Sequence, residues 1–149
     1  MENYKEFIEK AKVYLDKNNN FITILSNLTS YIYYELENVN WVGFYLYDYE
    51  KLYLGPFQGK AATPNIAMGR GVCGTSAANK ETLVVDDVHS FEGHITCDIN
   101  TRSEIVIPIV TRFGNLFGVL DIDSPIKNRF NKELKTALET IINLMVDIL

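Results

Sequence analysis

The spacing of apolar residues changes at Val39 from a helical period to the pattern of β-strands. Before Val39, two amphipathic helices are predicted, with a break at KNNN. After it, VNWVGFYLYD and KLYLGPF predict one hairpin, and EIVIPIVT and LFGVLDID predict a second hairpin across RFGN. A last amphipathic helix starts at Phe130. This order predicts an α+β fold, with a central antiparallel sheet and the N- and C-terminal helices packed on one face.

Two segments between the predicted hairpins have patterns of their own. GRGVCGTSAANK carries glycines and then small residues, which predicts a tight turn that leads into a short helix, and TLVVDD predicts a strand. The residues from Val88 to Ser103 show no apolar period and predict a long loop. Loops of that length are uncommon inside a compact domain and are usually functional.

Length and composition restrict the class of protein. A chain of 149 residues with 47% hydrophobic and 22% charged residues predicts one globular domain, over residues 1–149. The net charge of -5 argues against nucleic-acid binding, which needs clustered Lys and Arg. The sequence shows neither a signal-peptide pattern nor an apolar run long enough for a membrane span, so we expect a cytoplasmic protein without a membrane partner.

The predicted loop contains Cys97, one of two cysteines, three residues after His94. Two cysteines are too few for a secreted disulfide framework, so each is free, metal-binding or catalytic. A nucleophilic Cys97 needs a stabilised thiolate, which His94 and Arg102 favour and the neighbouring Asp98 opposes. The local sequence alone slightly favours a buried inert cysteine, because free cysteines are among the most buried residues.

A zinc site is the third interpretation of these residues. Two cysteines and two histidines are present, namely Cys73, His89, His94 and Cys97. The His-x4-His spacing suits zinc, but the cysteines are far apart in the sequence and form no Cys-x2-Cys pair. We therefore expect no metal.

The second hairpin carries a pair of acidic residues. In VLDIDSP, strand alternation places Asp121 and Asp123 on the same face, where their like charges repel unless a cation relieves them. Asp123 also fits a plain role as the start of an Asx turn before Ser124. Glu104 begins the preceding strand and adds a third carboxylate at the same sheet end if the two strands pair. Three acids there would favour an ammonium group or a metal ion.

Trp41, the single tryptophan, begins a strand in which Gly43, Tyr45 and Tyr47 share its face. Such a stripe is more often core packing than a ligand cage. An aromatic wall opposite carboxylates would nevertheless suit a small zwitterion with an apolar or sulfur-bearing tail.

Six motifs together closely resemble the free methionine-(R)-sulfoxide reductases, a family built on a GAF domain. In chain order they are NWVGFYLY, LYLGPFQGK, GRGVCGT, DVHSFEGHITCD, SEIVIPI and GVLDIDSP, between Asn40 and Phe130. A GAF domain is a general small-molecule binding module, so the fold alone does not imply catalysis. The GHITCD and GRGVCGT motifs indicate the reductase branch.

The resemblance implies reduction of free L-methionine (R)-sulfoxide to L-methionine without a cofactor. By the family pattern, Cys97 attacks the sulfoxide sulfur and becomes a sulfenic acid, which a thiol converts to a disulfide. Thioredoxin or another thiol then regenerates the enzyme by thiol-disulfide exchange. The family pocket corresponds to Trp41 and Tyr45 at the methyl-sulfur end of the substrate.

The polar end of that pocket corresponds to Glu104, Asp121 and Asp123. Carboxylates can hold the substrate ammonium, and one that stays protonated could donate to the sulfoxide oxygen as general acid. Because a peptide-bound methionine lacks the free ammonium, the acids would explain selectivity for the free amino acid.

The sequence departs from the family pattern at Thr63, where many members carry a resolving cysteine after GPFQGK. Cys73 is the remaining candidate resolving thiol, provided its Cα lies within about 7 Å of the partner's. Otherwise an external thiol attacks the sulfenic acid directly.

The alternative function is a non-catalytic GAF sensor that binds a small molecule. The final helix has enough apolar positions to serve either the core or a dimer interface, and of these two we expect a homodimer.

Overall fold

The structure, a computed structural model, describes residues 4–94 and 98–149. The described helices are α1 (Lys5–Ala11), α2 (Phe21–Glu35), α3 (Gly71–Asn79) and α4 (Lys132–Val146). The strands are β1 (Trp41–Tyr47), β2 (Lys51–Gln58), β3 (Asn65–Ala67), β4 (Leu83–Val85), β5 (Ser103–Val110) and β6 (Leu116–Ser124). Short 3-10 helices cover Lys12–Tyr14 and Val88–Ser90.

The six strands form one sheet in the order β3-β2-β1-β6-β5-β4, and every neighbouring pair is antiparallel. The two predicted hairpins, β1–β2 and β5–β6, are confirmed. They meet where β1 pairs with β6, which places these two strands at the centre of the sheet. The strand β3 was not predicted, because a run of three residues is too short to show a period of two.

The main core lies between the sheet and the terminal helices. Leu28 of α2 and Leu138 of α4 pack in one buried cluster with Ile105, Leu120 and Ile122 of the sheet. The alternation in β5 and β6 turns these apolar residues to this face, so the predicted position of the terminal helices is confirmed.

Helix α3 covers the opposite face of the sheet. Val72 and Ala77 of α3 belong to a second buried cluster with Trp41 and Val119. The helix begins after a tight turn and packs closely against β3. The approach is so close that a Cβ atom at Gly74 would lie 2.5 Å from the Ala67 carbonyl oxygen. Gly74 therefore serves this close approach, whereas Gly69 and Gly71 take the positive φ of the turn.

The predicted long loop between β4 and β5 is fixed at both ends by backbone hydrogen bonds. The Val88 N–H donates to the Arg102 carbonyl at 2.8 Å, and the Arg102 N–H donates to the Ser124 carbonyl at 2.8 Å. The described part of this loop has no regular structure beyond the 3-10 turn at its start. Cys97 lies outside the described residues.

Within residues 4–94 and 98–149, every helix falls short of the length and apolar character that a bilayer crossing requires.

Candidate active site

Three buried carboxylates meet at one end of the sheet on the face that α3 covers. In the strand register, Glu104 of β5 lies opposite Asp123 of β6, and Asp123 lies opposite Trp41 of β1. Glu104, Asp121 and Asp123 are only 3%, 6% and 7% exposed. The expectation that Glu104 joins the two aspartates is confirmed, because β5 and β6 pair across the predicted turn. We call Glu104, Asp121 and Asp123 the acidic group.

Asp121 lies close to both Glu104 and Cys73 of α3. Its carboxylate, the Cys73 Sγ and a Glu104 carboxylate oxygen all lie within 4.8 Å of one another. Burial raises the pKa of Asp121 well above its ordinary value, and the charge and hydrogen bond of Glu104 raise it further. Hydrogen bonds with Cys73 and Asp123 act in the opposite direction but do not reverse the shift. Asp121 therefore keeps its proton to a higher pH than an ordinary aspartate.

Cys73 lies in the first turn of α3, buried against the acidic group. A helix N-terminus usually lowers the pKa of a thiol. Here burial raises the pKa of Cys73 well above its ordinary value, and the negative charges of the acidic group add to the rise. The rise in pKa from desolvation and nearby negative charge exceeds the lowering effect of the helix N-terminus. The neutral thiol is therefore the favoured form of Cys73.

His94 approaches the acidic group from the loop. Its Nε2 lies 3.1 Å from Glu104 Oε1, with the two side chains 11% and 5% exposed. Burial lowers the pKa of His94 below its ordinary value. The sequence suggested His94 as a partner of Cys97, whereas among the described residues its contact is with Glu104.

The other loop residues that the sequence singled out have the following surroundings among residues 4–94 and 98–149. His89 is exposed, and its Nδ1 lies 3.3 Å from Asp87 Oδ1. The Arg102 side chain is exposed. Asp98 is buried, and a hydrogen bond from the Asn100 backbone lowers its pKa. The described donors that a metal could use are therefore Cys73, Glu104 and Asp121, rather than two cysteines and two histidines.

Trp41 and Tyr45 form an aromatic wall next to the acidic group. Their rings stack with centroids 6.0 Å apart, and each residue is 1% exposed. The Trp41 indole N–H donates to the Lys60 carbonyl at 2.9 Å, and the Tyr45 hydroxyl donates to the Thr63 carbonyl at 2.8 Å. The segment between β2 and β3 is thus fixed across the wall, and Thr63 lies beside Tyr45. Sequence reasoning missed Lys60, because a backbone carbonyl leaves no signal in residue type.

Asn40 is a second residue that the sequence gave no reason to select. Its amide Nδ2 donates to Thr101 Oγ1 at 3.1 Å, which connects the start of β1 to the end of the loop. Its Oδ1 is buried without a hydrogen-bond partner among the described residues. An unpaired buried oxygen next to Trp41 is a further acceptor at the edge of the site.

Because Gly43 has no side chain, the Trp41 indole can pack directly against its backbone. A Cβ atom at this position would lie 2.4 Å from Trp41 Cη2 and 2.6 Å from Phe57 Cβ. We expect Gly43→Ala to displace the indole and to lower the free energy of unfolding by about 1–3 kcal/mol, the usual cost of overpacking. Denaturant titration of the variant beside the wild type measures this. An unchanged midpoint with unchanged tryptophan fluorescence would show that the indole is not confined here.

The model of the GAF domain family matches residues 20–146. The chain is 41% identical over 145 residues to the free methionine-R-sulfoxide reductase of Escherichia coli, with 91% of this chain and 87% of that protein covered.

Two solved structures share the fold at high similarity. The fRMsr of Staphylococcus aureus in its reduced form is 44% identical with a TM-score of 0.93, covering 98% of this chain and 94% of that one. The free methionine-R-sulfoxide reductase of Neisseria meningitidis in complex with its substrate is 34% identical with a TM-score of 0.90, covering 97% and 87%. The chain therefore belongs to the GAF-domain family of free methionine-R-sulfoxide reductases.

Proposed function

We propose that this protein reduces free L-methionine (R)-sulfoxide to L-methionine. The observation that carries the proposal is the buried acidic group next to the aromatic wall of Trp41 and Tyr45, on one face of the sheet. Relatives that carry the reductase name, and a relative's structure in complex with its substrate, support the assignment.

The site is chemically complementary to a free amino acid. Three carboxylates so close together are costly to bury unless a cation or a proton compensates them. The substrate ammonium supplies that cation, and a methionine sulfoxide within a peptide chain does not. The methyl-sulfur end packs on the apolar faces of Trp41 and Tyr45, whose polar atoms are already engaged by the neighbouring segment.

In the proposed reaction, the Cys97 thiol attacks the sulfoxide sulfur while the Asp121 carboxyl donates a proton to the sulfoxide oxygen. The bond formed between the two sulfur atoms breaks as the protonated oxygen passes to the cysteine sulfur, and the thiol proton replaces the proton that Asp121 gave. Thiol and sulfoxide thus give sulfenic acid and methionine. The substrate sulfur gains two electrons and the cysteine sulfur loses two. The raised pKa of Asp121 supports its role as the acid, because the carboxyl must still hold a proton when the substrate arrives.

The oxidised Cys97 must then be returned to the thiol. A second thiol condenses with the sulfenic acid to a disulfide with release of water, and a further thiol reduces that disulfide. Cys73 is the candidate resolving thiol within the chain. Its raised pKa and its burial make it a slow nucleophile, so we infer that a thioredoxin-like or small thiol attacks Cys97 directly as the faster route.

The reactivity of Cys73 is therefore expected to be low. The Cys97→Ser variant has Cys73 as its single cysteine, so iodoacetamide labelling at pH 8 reports on this thiol alone. The thiolate fraction falls about tenfold for each pH unit by which the pKa is raised, and burial slows access further. We expect labelling at least about tenfold slower than that of glutathione in the same buffer. Labelling at the rate of glutathione would restore Cys73 as an efficient resolving thiol.

The function itself is tested by incubating purified protein with racemic free methionine sulfoxide and dithiothreitol, and then separating the remaining epimers. The expected result is selective loss of the (R) epimer. Dithiothreitol bypasses any missing resolving cysteine, so an absence of turnover cannot be assigned to Thr63. Loss of neither epimer, together with measurable binding of methionine, would identify a non-catalytic GAF binding module.

A further inference from the structure

The contact between His94 and Glu104 is not used by the reaction as described so far. His94 Nε2 lies 3.1 Å from Glu104 Oε1, at an almost fully buried position. Glu104 in turn lies beside Asp121 and opposite Asp123. The imidazole therefore contacts a member of the acidic group that is itself a close neighbour of Asp121.

Two neighbouring buried carboxyl groups ionise unequally, because the first negative charge raises the pKa of the second. The Glu104–Asp121 pair has this arrangement, and the charge of Glu104 is a cause of the raised pKa of Asp121. The pair by itself does not decide which of the two carboxyls keeps the proton. A hydrogen-bond donor placed on one side decides it.

The group that can act as such a donor is the His94 imidazole, which contacts Glu104. When Glu104 is ionised it can only accept a hydrogen bond, so the imidazole that contacts it then carries its hydrogen on Nε2. On the other side, Asp121 Oδ1 is buried without a hydrogen-bond partner among the described residues. A protonated Asp121 can turn this position towards a substrate oxygen, whereas in an ionised Asp121 this oxygen would be buried without a donor of its own.

We propose that His94 is a positioning residue that keeps Glu104 ionised and thereby leaves the shared proton of the Glu104–Asp121 pair on Asp121. The proposal rests on the proposed function, in which Asp121 gives that proton to the sulfoxide oxygen. In this role His94 acts through Glu104, the described residue that its imidazole contacts.

The other titratable groups described around Glu104 differ from His94 in what they offer. Cys73 of α3 makes a hydrogen bond with Asp121, and Asp123 of β6 contributes negative charge to the site. On β1, the Tyr45 hydroxyl is already committed to the Thr63 carbonyl. The edge strand β4 places Val85 opposite Glu104, which is apolar. The lowered pKa of His94 means that its neutral form suffices for the role near neutral pH.

The test compares His94→Leu, which removes the donor, with His94→Gln, whose amide can place an N–H near the Nε2 position. The pH profile of kcat/KM is measured for both variants beside the wild type. In His94→Leu, Glu104 gains a proton more easily, so we expect the acidic limb to move up by about one pH unit and the plateau to fall about tenfold. In His94→Gln, the acidic limb stays at the wild-type position.

A second readout does not depend on turnover. Infrared spectra of protein with 13C-labelled aspartate or glutamate carboxyl groups show which residue type carries the protonated carboxyl. We expect a band that shifts with aspartate label in the wild type and is absent in Asp121→Asn. In His94→Leu, part of this band is expected to shift with glutamate label instead.

The outcomes separate the two proposals. If the wild type does not reduce methionine sulfoxide but the infrared band moves from aspartate to glutamate in His94→Leu, the reductase assignment fails and the role of His94 stands. A wild-type band on glutamate, or a His94→Leu protein with unchanged band and unchanged pH profile, would overturn the role of His94. A His94→Gln profile equal to that of His94→Leu would also contradict a donor at Nε2.

Discussion

Cys97→Ser is expected to abolish the reduction of free methionine (R)-sulfoxide, with turnover at or below the background given by dithiothreitol alone. Serine lacks a thiolate, and no sulfenic acid can form on it. Turnover is measured as loss of the (R) epimer by chromatography. Binding of L-methionine, measured by calorimetry, should persist because the acidic group and the aromatic wall are untouched.

The matched control is Cys73→Ser, which removes the other cysteine of the chain. With dithiothreitol as reductant, this variant should still turn over, since an external thiol can resolve the sulfenic acid. Retained activity in Cys97→Ser together with loss in Cys73→Ser would move the nucleophile to Cys73 and would contradict the reaction as proposed.

Asp121→Asn is expected to lower kcat by about 100-fold, within the usual contribution of a general acid, while KM changes less than about threefold. The amide has nearly the same shape as a protonated carboxyl, but it cannot give up a proton to the sulfoxide oxygen. Glu104 and Asp123 remain to hold the ammonium, so binding should survive. A rise in KM at unchanged kcat would instead assign Asp121 to ammonium binding.

The melting temperature of Asp121→Asn, measured at several pH values, shows whether the variant folds like the wild type. The pKa of Asp121 in the folded state is raised, so its contribution to stability is fully present below pH 4 and is lost as the pH rises through the folded-state pKa. The amide does not titrate and avoids this loss. The melting temperature of the variant relative to the wild type should therefore increase from pH 4 to pH 8. A relative decrease over that range would show that ionised Asp121 stabilises the fold.

The faces of the strands were predictable from the sequence because side-chain direction alternates locally. Asp121 and Asp123 share a face, and Leu120 and Ile122 take the other, as the alternation in VLDIDSP requires. The terminal helices were predictable for the same reason, since their apolar stripes follow one local period. These features depend on neighbours in the chain alone.

The contacts between distant segments were harder to predict from the sequence. The meeting of Glu104 with Asp123 needed the register of the hairpin, which a short turn limits to few choices. The position of Cys73 against Asp121 depends on where α3 crosses the opposite face, and no local pattern encodes that. The role of Cys97 came from the family resemblance and stays a prediction, since Cys97 lies outside the described residues.

The order of the elements, the buried face of each strand and the identity of the acids follow from local periodicity and residue type, so they can be predicted without the fold. Three contacts arise only when distant segments pack together: His94 with Glu104, the carbonyls of Lys60 and Thr63 with the aromatic wall, and the Cys73 thiol with Asp121. The physical reason is that burial and mutual charge set the pKa values of the site, and both depend on which distant segments pack together.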